Sequence, residues 1–198
     1  MANPKNLMEK DPKVEAITSY LVNNPKYESD WIAEASTILA KDIDYLTEEA
    51  LAKYPAGKLK VVNEILADDI NIDINMLLES GLNWTQMELY YAGIKNGVSE
   101  EDMKIFLNPE ISYAKSNFAI QAIIEGYNDI VNYMDYSVDQ LVEIYACMKE
   151  GIDVKAILAI SNGDVKVMNF IRHGINIGLE CTLMETDSAV SFGLMFTK

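Results

Sequence analysis

Cys147, His173 and Cys181 are the side chains from which a thiol nucleophile and its base could be assembled, since a thiolate beside an imidazole is the usual pairing in cysteine-dependent hydrolysis. The spacing supplies no third group to orient the imidazole and no oxyanion hole, so no catalytic residue is assigned. Metal chemistry is suggested by Asp69, Asn71 and Asp73, which match the first, third and fifth positions of a calcium-binding EF-hand loop. The match ends at Ile74, where the loop needs glycine for its sharp turn, and at Ser80, where it needs a bidentate glutamate. A polar turn between helices is the better expectation, and no metal or other cofactor is assigned. Asp68, Asp69 and Asp73 are nonetheless the one cluster worth testing for a cation. Glu100 and Glu101 follow Ser99, where negative charge favours the start of a helix. The glycines are single and follow helical patterns instead of strands, so they form no phosphate-binding loop.

The elements that carry these residues are set out by helix punctuation. Asn83, Ser112, Ser137 and Asp164 are all good N-cap types, and a glycine stands fourteen residues after each: Gly97, Gly126, Gly151 and Gly178. Each unit reads as an N-cap, some three turns of helix, and a glycine at the C-terminal turn. Offsets of four, seven and eleven from the cap are mostly apolar and lie on one helical face: Met87, Tyr90 and Ile94 in one unit, Leu141, Ile144 and Met148 in another. Ten residues after the cap come Gly93, Ala122, Cys147 and Gly174, all small, which predicts a neighbouring helix close by. This register explains Cys147 as a compact apolar filler. His173 falls at a position held elsewhere by Ala92, Gln121 and Ala146. A second capping type follows most of the glycines, at Ser99, Asn128 and Asp153, so each unit is expected to be a helical hairpin.

The spacing of the caps predicts an all-α, solenoid-like stack of helical hairpins with an N-terminal helical cap. The repeats span residues 56–180, in units starting near 55, 83, 112, 137 and 164. The earliest copy is degenerate: it starts at Pro55, aligns Leu59, Val62, Leu66 and Ile70 with the apolar positions, and puts Asp69 where the glycine would be. Residues 1–55 form the cap, with a helix opened by Asp11-Pro12, a second through Trp31, Ile32, Ala35 and Leu39, and a third from Thr47 to Tyr54. Residues 181–198 are apolar enough to close the far end, either by folding over the last repeat or by adding a short strand.

Charge narrows the partners. The 198 residues carry 16 Lys and Arg against 31 Asp and Glu, a net charge of −15. The imbalance persists in residues 1–55, 56–110 and 111–180, with 6, 4 and 5 basic groups against 10, 10 and 9 acidic. Direct nucleic-acid binding is excluded as an expectation, because it requires cations to neutralise phosphates. The polar N-terminus, Met1 to Lys13, lacks the signature of a signal peptide, and no apolar run is long enough to span a membrane. Two cysteines thirty-four residues apart build no disulfide framework, so a cytoplasmic location is expected. Of the eleven tyrosines, seven fall between Tyr90 and Tyr145. Tyr91 and Tyr145 share the eighth position after the cap, at the flank of the stack or on a recognition surface.

Gln86-Met87, Gly93-Ile94 and Gly97-Val98-Ser99, with Gln140-Leu141 and Gly151-Ile152-Asp153, resemble a tandem repeat of about 27 residues found in Firmicutes gut bacteria and their phages and plasmids. The resemblance covers residues 83 to 180 and is weaker at Ser116 and Val167. It implies a scaffold from a mobile-element context with no catalytic residues to carry over, and an anti-defence role of the anti-CRISPR type. The expectation is therefore a non-enzymatic inhibitor whose acidic surface blocks the basic groove of a Cas-type nuclease or other nucleic-acid-binding protein. Asp68, Asp69, Glu100, Glu101 and Asp102 would supply the charge, and Tyr91 and Tyr145 the anchors. A host adaptor and a small cysteine- or metal-dependent hydrolase are the alternatives.

Overall fold

The structure, a computed structural model, describes residues 11–178 and the backbone of 180–185 and 192–197. Helices dominate it, and among the described residues none is long and apolar enough to cross a membrane. The chain divides into two compact units. The first runs to Lys95 and takes in Phe106–Glu110, and the second comprises Asn96–Ile105 and the chain from Ile111 onward.

In the first unit, α1 (Pro12–Leu21) opens at Asp11, whose carboxylate accepts from the Lys13 amide with Pro12 at the first helical position. It packs on α2 (Ser29–Leu39), which packs on α4 (Ala56–Ala67), which packs in turn on α6 (Trp84–Lys95). The short helices α3 (Glu48–Leu51) and α5 (Ile74–Glu79) complete the unit. The predicted third helix stops at Leu51 instead of reaching Tyr54, whose carbonyl accepts from the Trp31 indole N–H at 3.1 Å. In α2, Trp31, Ile32 and Ala35 are buried as expected, and at its end Ile38 is fully buried while Leu39 is only half-buried. The degenerate unit is well formed: Asp69 has φ 52°, and the Ile70 amide reaches back to the Ile65 carbonyl. An aspartate takes the left-handed conformation here because its short polar side chain tolerates it better than most.

The second unit holds α7 (Glu100–Met103), α8 (Tyr113–Ile124), a 3-10 helix (Asn128–Tyr133), α9 (Val138–Glu150), α10 (Val154–Ser161) and α11 (Val165–Asn176). Ser112, Ser137 and Asp164 each accept from a backbone N–H three residues on. At Gly126 and Gly151 the chain turns through positive φ, and the next residue's amide reaches back five residues, Tyr127 to Ala122 and Ile152 to Cys147. That pair of bonds satisfies carbonyls a helix end would otherwise leave unmatched. Ser99 and Asp153 cap the helices that follow, whereas Asn128 lies inside its 3-10 helix behind Tyr127.

Positions four, seven and ten after the cap are buried in every full unit, Cys147 and the glycines at position ten included. Position eleven follows expectation only at Ile123, which is buried, whereas Ile94, Met148 and Ile175 are half-buried. Beyond α11 the backbone forms an antiparallel hairpin, β1 (Glu180–Glu185) with β2 (Phe192–Thr197), pairing Glu180 with Thr197. The packing expected of 181–198 on the last repeat, and of Cys181 near His173, involves side chains outside the described residues. Residues 1–10 lie outside them as well.

A Cβ at Gly151 would meet nothing within 4 Å, so its φ of 70° is the sole constraint there. Gly151→Val should therefore lose about 1–2 kcal/mol through backbone strain alone. Gly151→Asn should lose distinctly less, and urea denaturation of the two variants checks the ranking.

Candidate partner-binding surface

Three rows of polar side chains recur at fixed offsets from the N-caps, and five of the chain's 16 Lys and Arg residues stand in them. The first row is three residues after the cap. Lys58, Gln86, Lys115 and Gln140 occupy it, and each donates to a carbonyl further along, those of Leu78, Pro109, Met134 and Gly163 at 3.4, 3.2, 2.9 and 2.7 Å. Gln86 and Gln140 also accept from the N-cap amides of Asn83 and Ser137. One amide side chain thus ties its own N-cap to a carbonyl in a turn more than twenty residues away.

The second and third rows, eight and twelve after the cap, reach backward to a carboxylate thirteen residues after the preceding cap. Tyr91 and Lys95 both hold Asp68, and Tyr145 and Lys149 both hold Glu125. Arg172 and Asn176 hold Glu150 at 2.5 and 2.7 Å. In the tyrosine clamps the ammonium also lies over the ring, 5.3 Å from the Tyr91 centroid and 5.1 Å from that of Tyr145. Asp68 is held below the usual carboxylate range by the bonds from Lys95 and then Tyr91, and Glu125 by those from Tyr145 and then Lys149. The Tyr91 and Tyr145 phenols are pushed up, first by burial and then by the carboxylate each one meets. Arg172 bonds Glu143 as well, at 3.0 Å, in a pair whose side chains are only 12% exposed on each side. Asn169 completes Glu143 at 2.9 Å.

This geometry relocates the expected anchors. Tyr91 is 7% exposed, so it is a clamp within the first unit and cannot serve as a protruding anchor. Tyr145 is half-buried, its ring edge-on to Phe118 and Tyr127 at 5.5 and 5.3 Å. Asp68 is tied to Tyr91 and Lys95, while Asp69 is exposed at the left-handed turn. Glu100 and Glu101 are exposed on α7, Glu101 pairing with Lys104 at 2.9 Å. Asp102 accepts from the Ser99 hydroxyl at 2.7 Å. Asp73 caps α5, which accounts for the partial EF-hand match, and the described residues hold no group of three His, Cys, Asp or Glu placed to bind a metal. Cys147 is fully buried and its thiol is pushed up to about 11, chiefly by burial, which leaves it protonated at neutral pH. His173 is exposed on α11.

Concave surface lies in the second unit: a small pocket of about 180 Å³ takes in Asp102 with Ser99 and Asn128, and two larger ones lie away from the expected residues. A cavity of about 580 Å³ is lined by Asp129, Asn132 and Tyr133 from the 3-10 helix, Met148 from the end of α9, and Asp153 and Lys155 from the start of α10. A second concavity, of about 430 Å³, shares Asp129 and Met148 and continues past Tyr127 and Asn128. These residues went unmarked in the sequence because each has an ordinary local role. Asp153 is an N-cap, and Met148 belongs to the apolar face. The only hint was that Asp129 and Asp153 occupy the same short connection in successive units. No protein-family model, curated protein or solved structure matches the chain.

The lowered carboxylates set the sign of the acid response. Their contribution is complete above the unfolded carboxylate range and is lost as pH falls through their depressed folded values. Thermal stability should therefore decline below about pH 4.5, and Glu125→Gln should make the decline shallower. Circular-dichroism melts from pH 7 to 2.5 measure both. Arg172→Leu should cost about 3 kcal/mol or more, because it strands Glu143 beside apolar core. Adding Glu143→Leu to it should restore part of the loss in urea titrations.

Proposed function

We propose that this protein is a non-enzymatic binding module whose acidic surface engages a basic protein partner, as an inhibitor of a nucleic-acid-binding nuclease would. The observation that carries the reading is the fate of the cations. Lys13, Lys60, Lys95, Lys104, Lys149 and Arg172 are in ion pairs with the chain's own carboxylates, and Lys58 and Lys115 are bonded to carbonyls. With a net charge of −15, the field projected outward is negative. Such a field favours fast, oriented association with a Lys- and Arg-rich groove. The buried, protonated Cys147 thiol and the capping role of Asp73 favour binding over thiol or metal hydrolysis.

In this reading the hairpins form a solenoid-like stack that presents carboxylates at repeated intervals, and an anti-CRISPR-type role is the specific form that fits an acidic competitor for a nucleic-acid groove. An adaptor that grips its partner by apolar contact would lack the salt dependence. Titrated against a Cas-type nuclease at fixed DNA substrate, the protein should inhibit to a plateau at a defined molar ratio that does not move with incubation time. Inhibition should weaken between 50 and about 300 mM salt as exposed charges are screened. Alkylation with iodoacetamide should leave it intact. Time-dependent inhibition at substoichiometric amounts would refute the reading in favour of turnover.

A further inference from the structure

The cavity between the 3-10 helix and the start of α10 is lined by a tyrosine and two carboxylates, and elsewhere in this chain a tyrosine and a carboxylate together hold a cation. Tyr91 with Asp68 holds Lys95, and Tyr145 with Glu125 holds Lys149, with each ammonium bonded to the carboxylate and set over the ring. In the cavity, Tyr133 stands with Asp129 and Asp153. Burial first, and then the charges of Asp129 and Asp153, push the Tyr133 phenol up, in keeping with all three lining one cavity. One Asp153 oxygen accepts from the Lys155 and Ala156 amides at 2.9 and 3.2 Å as the α10 cap. Lys155 is on the lining too, yet it forms none of the ion pairs within 4.0 Å among the described residues. The Met148 side chain supplies a polarizable apolar wall on which the stem of a long side chain can lie.

We infer that this cavity receives an arginine or lysine side chain from an extended basic segment of a protein partner, with Asp129 and Asp153 binding the charged head and Tyr133 stacking beneath it. The inference rests on the binding reading above and locates it on one surface of the second unit. Two carboxylates with no third ligand suit a guanidinium or ammonium group better than a divalent metal, which takes six or more oxygens. The adjoining concavity, entered past Asp129 and Met148, gives the neighbouring residues of the segment a continuous track.

The test uses the full chain and a fluorescein-labelled peptide of alternating arginine and glycine, followed by anisotropy at low salt. Asp153→Asn keeps a good helix cap, so the Asp129→Asn/Asp153→Asn variant is expected to fold, with its melting curve as the check. It should bind about tenfold more weakly, as expected for the loss of two exposed ion pairs. Tyr133→Phe should bind nearly as well as the parent, Tyr133→Ala more weakly, and Lys155→Met more tightly. Glu100→Gln/Glu101→Gln should change binding less than about twofold, since those residues lie outside the cavity. Binding that survives in Asp129→Asn/Asp153→Asn but falls in Glu100→Gln/Glu101→Gln overturns the cavity assignment and leaves the acidic-surface reading standing. If the parent chain binds the peptide no better than a neutral glycine-serine peptide, both are overturned.

Discussion

Helix length is the constraint from which the rest follows. An N-cap starts each long helix, and a residue in the left-handed conformation fourteen positions later turns the chain out of it. With both ends set, a given offset from the cap falls at the same height and on the same side in every unit. Position ten is then always the point that a neighbour covers, and it carries Gly93, Ala122, Cys147 or Gly174. Were one helix a residue longer, everything beyond the insertion would rotate by about 100°, and both the small-residue contact and the backward-reaching side chains would miss their partners.

Polar clamps use that register to say which helix ends adjoin. A carboxylate at position thirteen sits at the end of one helix, and the residues at eight and twelve of the following long helix close on it, as Tyr and Lys twice and as Arg and Asn once. Since exposed pairs of this kind contribute little singly, their value lies in discriminating between registers that apolar packing alone would accept. Arg172 extends the logic inward by serving Glu143 and Glu150 together. The Ser112 helix, the first long helix of the second unit, carries Ile120 and Ile124 at those two positions, hydrocarbon side chains that cannot hold a carboxylate. These clamps also shape the electrostatics, because each cation they hold is balanced by a carboxylate of the same chain while the acidic excess remains unbalanced.

Much of the helical plan was legible in the chain itself. Capping residues, left-handed turns and the apolar period are local consequences of backbone geometry, so Asn83, Ser112, Ser137 and Asp164 could be placed by counting, and Asp69 could be matched to a glycine position. Side-chain partnerships were not legible, because a tyrosine at position eight has the same local environment whether it points to solvent or to a carboxylate more than twenty residues away. Tyr91 therefore read as a possible anchor until the nearness of Asp68 and Lys95 made it a buried clamp. Asp153 read as a second helix cap and Tyr133 as one of a run of seven tyrosines, until packing placed them with Asp129 around one cavity. Local propensity acts within a few residues and is written in the chain; which distant charges meet, and which are left facing outward, depends on how the helices pack, and no short stretch of sequence contains that information.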